Sequence, residues 1–309
     1  MHGLNNLGNT CGVNSLIQCI AHSPVLHDII TNTPHTCSDS TAVQSQLADV
    51  ISKLHDTVVA PHGFVNALYT AFKGIVLPGE QQDIVEMWML IVDKIAEEVG
   101  VEVPVPVHDT EFVNKILAAR HMHNNKKVSR WIDAVQGTQL SVIECPCEFQ
   151  QANVEVFTNI AVNLPQQAPA QGPLEITDLI RDYFALESLG CWKCDQCKLV
   201  GGAFKRNILI AEPPPVLIVS LKRFTSNGAK INVQVEVAEF FQCKDTNYKL
   251  MAIGQHHGVH FGGHYVAICR RMNGETAGWS LYDDEHVYDL GPELRYEKSC
   301  VYFLVYERM

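Results

Sequence analysis

The sequence predicts an α+β fold, on three observations. Apolar residues recur at helical spacing through the first half, short β-rich runs fill the second, and the pattern changes near Val135. Leu16, Ile17 and Ile20 follow a Gly/Asn-rich run and stop at Ser23-Pro24, which predicts a helix opening near Cys11. Val43, Leu47, Val50, Ile51, Leu54 and Val58 keep the three-four spacing of a second helix. Ile84, Met87, Trp88, Ile91 and Ile95 keep that of a third. Proline breaks the stretch from Val103 to Val107, and another helix is expected around Phe112 to His121. Strands are expected from Val154 to Val162 and from Ala203 to Ile210. Between them lie a Pro/Gln linker (Pro165 to Pro173) and an amphipathic helix (Ile176, Leu179, Ile180, Tyr183, Phe184). The last hundred residues read as strands with turns: Val216 to Leu221, Tyr248 to Gln255, His264 to Cys269, Trp279 to Tyr282 and Cys300 to Tyr306. Helices first and strands later place a cleft where the halves meet.

Composition narrows the function classes. With 309 residues, 47% of them hydrophobic, the chain can bury the core of one large domain. Lys+Arg total 23 against Asp+Glu 34, a net charge of -11 with no basic stripe, which disfavours a nucleic-acid partner. Apolar runs such as Val216 to Val219 are too short to span a bilayer, and the opening residues lack the pattern of a secretory signal. Eleven cysteines without such a signal read as reduced thiols serving catalysis or metal binding. The expectation is a soluble intracellular protein, cytoplasmic or nuclear, acting as a monomer.

The run Gly3-Leu4-Asn5-Asn6-Leu7-Gly8-Asn9-Thr10-Cys11-Gly12-Val13-Asn14-Ser15 carries the chemistry. A cysteine at a helix start feels the positive end of the dipole, which favours the thiolate. Asn6 offers an amide to a developing oxyanion. By itself the run also suits a buried structural cysteine after a polar turn. A nucleophilic cysteine needs a base, and the base needs an orienting group. Among 14 histidines, His264 stands apart because it follows Gly262-Gly263 and opens an apolar strand. The strand ending in Tyr282-Asp283-Asp284 can bring a carboxylate beside it; taken singly, that pair reads as an acidic turn.

This run resembles the cysteine box of the ubiquitin-specific proteases, papain-like thiol enzymes that remove ubiquitin. Three further blocks stand in that family's order: Gln81-Gln82-Asp83-Ile84-Val85-Glu86, Leu221-Lys222-Arg223-Phe224, and the box from Gly263-His264-Tyr265 to Tyr282-Asp283-Asp284. Tyr302 to Tyr306 resembles the family's last strand, so the resemblance covers essentially the whole chain. It implies one catalytic domain shaped as a hand, with thumb about 1–130, fingers about 135–210 and palm about 211–309. It also implies roles: Cys11 as nucleophile, His264 as general base and acid, Asp283 as orienter, Asp284 as an assistant and Asn6 as oxyanion donor. Asp83 and Glu86, three apart on one predicted helix face, would meet the arginines of ubiquitin's tail. Gln82, Gly262, Gly263 and Tyr265 would line the slot for its terminal glycines. The glycine-rich stretch from His256 to Gly263 and the segment from Thr225 to Lys230 resemble mobile loops over that slot.

Cys145, Cys147, Cys194 and Cys197 fall in the region matching the fingers, and four thiolates would make a closed structural zinc site with no catalytic part. Cys145-Pro146-Cys147 has one residue between its thiols where two are expected, so Cys191 stands as an alternative ligand, and a decayed site left as free thiols stands as the other reading. Gly12 stands where the family has an aromatic, and should remove a packing group beside the thiol and loosen the helix start. Met87 replaces a phenylalanine as another apolar group. The activity implied is hydrolysis of the bond after ubiquitin's Gly-Gly terminus. The alternatives are a catalytically weak or inactive ubiquitin-binding module of the same fold, and a protease for a ubiquitin-like modifier.

Overall fold

The computed structural model describes residues 1–33, 40–167, 172–201, 204–259, 262–271 and 277–309. The linker expected from Pro165 to Pro173, the stretch from His256 to Gly263 and the strand start at Ala203 each include positions outside that set.

Helices occupy the first 135 residues: α1 (Cys11–Ala21), α2 (Pro24–Asn32), α3 (Val43–Lys53), α4 (His62–Ala71), α5 (Ile84–Val99), α6 (Glu111–His123) and α7 (Arg130–Val135). A two-residue antiparallel pair, β1 (Val101–Glu102) with β2 (Lys127–Val128), clasps the two sides of α6. Every residue of α1 is buried, because the helix runs through the middle of the molecule between the other helices and the large sheet. Gln18 Nε2 donates to the His2 carbonyl at 2.9 Å, while Gln18 Oε1 and Asn14 Oδ1 are buried without a partner. Ser23 caps α2 by accepting from the Leu26 amide, with Pro24 at the first helical position. Its hydroxyl donates in turn to Glu307, whose carboxylate also accepts from the Val25 amide at 2.9 Å.

Beyond residue 136 the chain is mainly strand: β3 (Gly137–Glu144), β4 (Gln150–Phe157), β5 (Ile160–Asn163) and β6 (Leu174–Glu175), then α8 (Ile176–Tyr183), β7 (Glu187–Leu189), β8 (Phe204–Glu212) and β9 (Val216–Lys222). β10 (Val235–Glu236), β11 (Phe240–Cys243), β12 (Thr246–Val259), β13 (Gly262–Arg271), β14 (Gly278–Asp283), β15 (His286–Gly291) and β16 (Val301–Arg308) complete it. One antiparallel sheet has the order β4-β3-β8-β7. The larger sheet runs β15-β14-β13-β12-β16-β9-β5, with β11 also on β12; only β5 and β9 pair in parallel. β10 pairs with β6. The stretch expected as fingers therefore divides: β3, β4, β7 and β8 form the smaller sheet, while β5 joins the larger one and α8 packs into the apolar core on its face.

Two cores flank the large sheet. One joins it to the helices through Leu16, Ile17, Trp88, Trp131 and Phe303; the other packs Ile176, Leu179, Tyr248, Trp279 and Tyr306. β16 serves both, with Phe303 and Val305 facing one and Leu304 and Tyr306 the other. Burial on both faces explains why this strand reads as a continuous apolar run. No described helix is long and apolar enough to cross a membrane.

Arg223 stitches this architecture. It is fully buried, and burial holds its pKa down to about 10. Its guanidinium donates to the carbonyls of Val301, Ile231 (2.9 Å), Val233 (3.0 Å) and Lys298 (3.2 Å), tying the start of β16 to the loops beside it. Arg223→Leu removes four donations at once, the Lys298 carbonyl keeping only its bond from the Val235 amide, and should lower unfolding stability by about 3 kcal/mol. A urea titration reads this directly; an unchanged midpoint would mean that water replaces the guanidinium without loss.

Candidate active site

The loop before α1 is wound around one oxygen. Asn6 Oδ1 accepts from the Gly8 amide (3.0 Å), the Thr10 amide (3.2 Å) and the Thr10 hydroxyl (3.3 Å). Gly8 (φ 96°) and Asn9 (φ 59°) take the left-handed conformation that the winding needs. Cys11, the first residue of α1, is buried at this corner. With Oδ1 fixed inward, Asn6 Nδ2 points outward and donates to Asp284 Oδ2 at 2.8 Å.

His264 and Asp283 meet through strand register. β13 and β14 pair from Ala267 opposite Tyr282, which brings the end of β14 beside the start of β13. His264 Nε2 lies 2.6 Å from Asp283 Oδ1. Because an ionised carboxylate only accepts, Nε2 carries the proton and Nδ1 is the basic nitrogen of the neutral ring. His257 pairs directly with His264 across β12 and β13, which puts its side chain on the same sheet face. Burial holds the His257 pKa down, with further lowering from Lys230 and His264. The sequence reading did not single it out; the two-residue periodicity of the strand was the available signal.

Asp284 is the structural joint of the site. It takes a left-handed turn (φ 50°) between β14 and β15. Its Oδ1 accepts from Asn14 Nδ2 and its Oδ2 from Asn6 Nδ2, both at 2.8 Å, while its carbonyl accepts from the Leu4 amide at 2.8 Å. Gly3 fits there because a Cβ would stand 2.4 Å from the Asp284 carbonyl oxygen.

The third side comes from the segment before α5. Asp83 precedes that helix as its N-cap, so it does not share the helix face with Glu86 that the spacing suggested. Its Oδ1 accepts from the Val85 and Glu86 amides, and its Oδ2 from the hydroxyls of Tyr265 (2.9 Å) and Tyr302 (2.7 Å). Burial and then the Asp83 charge push both tyrosine pKa values up, so both remain donors. Asp83 and Tyr265 are thus engaged with each other. Glu86 and Gly262 are exposed and Gln82 half-buried, while Gly263 is crowded by His256. Gln81, given no role from sequence, reaches the thiol: its Nε2 stands 3.2 Å from Cys11 Sγ.

Gly12 leaves no vacancy, contrary to the expectation of a loosened helix start. It is buried, and a Cβ there would meet the Gln82 carbonyl oxygen at 2.4 Å and the Tyr265 ring at 3.3 Å. Backbone occupies the space that an aromatic would have needed.

At the tip of the smaller sheet, Cys145, Cys147, Cys194 and Cys197 converge, all four sulfurs lying within 4.8 Å of one another. The Cys145–Cys197 and Cys147–Cys194 separations are 3.6 and 3.7 Å. Four sulfurs at about 2.3 Å from a central zinc stand roughly 3.8 Å apart, so the set fits a tetrahedral ion with no open position. The tight Cys-Pro-Cys spacing is accommodated by a turn in which Glu148 is left-handed (φ 65°) and its amide donates to the Cys145 carbonyl. Burial works against the Cys194 thiolate, but amides of Cys197 and Gln196 bring its pKa down to about 7. Cys191 is exposed and lies outside the cluster.

Comparison with known proteins gives a consistent result. The sequence model of the ubiquitin carboxyl-terminal hydrolase family matches residues 2–306. Ubiquitin carboxyl-terminal hydrolase 21 of Bos taurus is 24% identical over 99% of this chain and 61% of its own length. Ubiquitin carboxyl-terminal hydrolase 2 of Bos taurus is 25% identical over 99% of this chain and 54% of its own. The chain thus spans little more than half the length of these relatives. The yeast SAGA DUB module superposes with a TM-score of 0.76 at 21% identity, covering 100% of this chain and 68% of that one. The SAGA Ubp8/Sgf11/Sus1/Sgf73 DUB module bound to ubiquitin aldehyde gives 0.75 at 20% identity, with coverages of 100% and 70%. The two superpositions show the same fold.

The thiol cluster makes a direct prediction. Purified protein should carry about one zinc per chain by elemental mass spectrometry, and Cys194→Ser should lose it. Zinc retained by Cys194→Ser would remove that thiol from the ligand set.

Proposed function

The chain belongs to the ubiquitin carboxyl-terminal hydrolase family, and on that premise we propose that it is a thiol protease cleaving the bond after the C-terminal Gly-Gly of ubiquitin. The observation that carries the reading is the convergence of Cys11 with the His264–Asp283 pair: Gln81 touches both the Cys11 sulfur and Gly263, the residue before His264.

The chemistry follows from the groups in place. Nδ1 of His264 takes the Cys11 proton, and the sulfur adds to the carbonyl carbon. Negative charge moves to the carbonyl oxygen, where the Cys11 amide at the start of α1 and the second N–H of Asn6 Nδ2 serve as donors. Asp284 holds the Asn6 amide in the orientation this requires. Collapse expels the amine, which takes the proton from the imidazolium that Asp283 stabilises. Water then adds to the thioester, giving its proton back through His264, and releases the carboxylate and the thiol.

In the same reading, Glu86 is the open carboxylate for ubiquitin's basic tail, and Asp83 shapes the wall it stands on. Gly262, Gly263 and Gln82 line the approach to Cys11. The helical first part acts as thumb, the smaller sheet as fingers and the larger sheet as palm. The ten described cysteines are all free, which supports work in the reducing cytoplasm or nucleus. Ubiquitin is the partner we assign. Relatives of the fold also occur in the multi-subunit SAGA module, so a solitary monomer does not follow from the fold.

Ubiquitin carrying a C-terminal electrophile should form a covalent adduct at Cys11, absent in Cys11→Ala. A folded sample that forms none would sink the proposal, and parallel probes built on ubiquitin-like modifiers test the substrate. Asn6→Ala should lower kcat on a fluorogenic ubiquitin amide by roughly 10²–10³, and a melting temperature taken alongside separates loss of the donor from unwinding of the loop that Asn6 Oδ1 holds.

A further inference from the structure

We propose that Gln81 is a positioning residue for the nucleophile: anchored on the backbone of Gly263, its carboxamide aims a fixed N–H at Cys11 Sγ, and Gly12 provides the close approach that lets it do so. This deepens the thiol-protease reading and rests on Cys11 being the nucleophile.

The argument begins at a strand edge. β14 starts to pair with β13 only at Ala267, so the first residues of β13 have no ladder on that side. An N–H and a C=O left there need partners. A glutamine carboxamide carries the same donor and acceptor as a peptide group. Gln81 Oε1 accepts from the Gly263 amide at 3.1 Å, and Gln81 Nε2 donates to the Gly263 carbonyl at 2.6 Å. This pairing settles which end of the amide is which, because a flipped carboxamide would set donor against donor and oxygen against oxygen. Nε2 therefore has one hydrogen committed to Gly263 and the other free for Cys11 Sγ, 3.2 Å away. Among the described residues, no other side chain has a hydrogen bond recorded to that sulfur.

Two glycines make the arrangement possible. A Cβ on Gly263 would stand 2.3 Å from His256 Nε2. A Cβ on Gly12 would stand 2.4 Å from the Gln82 carbonyl oxygen and would push the 81–82 segment outward. The consequence is chemical. A hydrogen bond to an ionised group is stronger than one between neutral groups, so the fixed N–H favours the thiolate over the thiol. The same carboxamide also links the nucleophile to the residue preceding His264, which sets the relation of sulfur to base.

The test needs no ubiquitin. Alkylation of Cys11 by iodoacetamide, in which sulfur displaces iodide and the thiol proton goes to solvent, is followed by mass spectrometry of the Cys11 peptide. At neutral pH Gln81→Ala should slow it roughly tenfold. Gln81→Glu, of the same shape but presenting oxygen to sulfur, should slow it further. In strongly alkaline solution, where solvent deprotonates the thiol unaided, the variants should converge with the parent. The titratable groups around this corner, His256, His257 and His264 on β12 and β13, Asp283 at the end of β14, Asp284 on the turn after it, and Asp83 and Glu86 at the head of α5, are unchanged in every variant. Gly12→Ala should reproduce the Gln81→Ala loss, and combining the two should add little. Equal or faster alkylation in folded Gln81→Ala and Gln81→Glu overturns the proposal, the faster result marking Gln81 as a shield over the sulfur. A melting temperature measured on each variant separates this from unfolding. If ubiquitin probes fail while the alkylation pattern appears, the substrate assignment is at fault and the role of Gln81 stands.

Discussion

The docking of the N-terminal segment onto the turn between β14 and β15 is the constraint on which the site depends. Three donors from residues 4 to 14 converge on Asp284: the Leu4 amide on its carbonyl, and the side-chain amides of Asn6 and Asn14 on its carboxylate. Hydrogen bonds to a carboxylate are among the stronger ones available, and here both carboxylate oxygens are used. The sulfur at the head of α1 is fixed by the same loop that holds Asp284, and the imidazole is fixed by Asp283, the neighbouring residue. Sulfur and imidazole thus refer to one turn. Its left-handed residue and the missing Cβ of Gly3 are what let backbone approach so closely.

Much of this was legible in the sequence, and the reasons for success and failure are physical. Helices such as α3 and α5 are visible because each buries one periodic face, and β9 because burial on both faces makes it a continuous apolar run. β16 was equally visible as an apolar run, although nothing local says that it lies between β12 and β9. The helix α8 and the apolar run that holds β5 were visible, but their place was not: they sit between strands of the smaller sheet in sequence and leave it in space, and pairing partners are not written locally. Asp83 was read as a surface charge because three-residue spacing from Glu86 holds inside a helix, whereas N-capping begins one residue earlier and turns the carboxylate back on the backbone.

The polar machinery divides in the same way. Cys11, His264, Asp283, Asn6 and Asp284 were named on residue type and order, since nucleophile, base and carboxylate are recognisable chemistries. That Asp284 would accept from two asparagines, or that Gln81 would span from Gly263 to sulfur, depends on distances between segments 70 to 280 positions apart. Gly12 shows the limit most plainly. The absence of a side chain suggests looseness, yet the void is closed by a backbone carbonyl from another segment. The four clustered thiols show the opposite case, in which an unpromising spacing is rescued by one left-handed residue.

The position of β16 also governs when this protein can exist. The last strand is an inner one, inserted between β12 and β9, so the large sheet has a gap at its centre until residues 301–308 are available. A nascent chain that already contains Cys11, His264 and Asp283 still lacks the strand that unites both cores. Closing that gap is a long-range event, with Glu307 reaching back to Ser23 near the other end of the chain. Such non-local closure is slow and leaves apolar edges exposed while it waits. The fold therefore imposes an order on biogenesis: residues 301–308 must leave the ribosome before the large sheet that carries His264 and Asp283 can close.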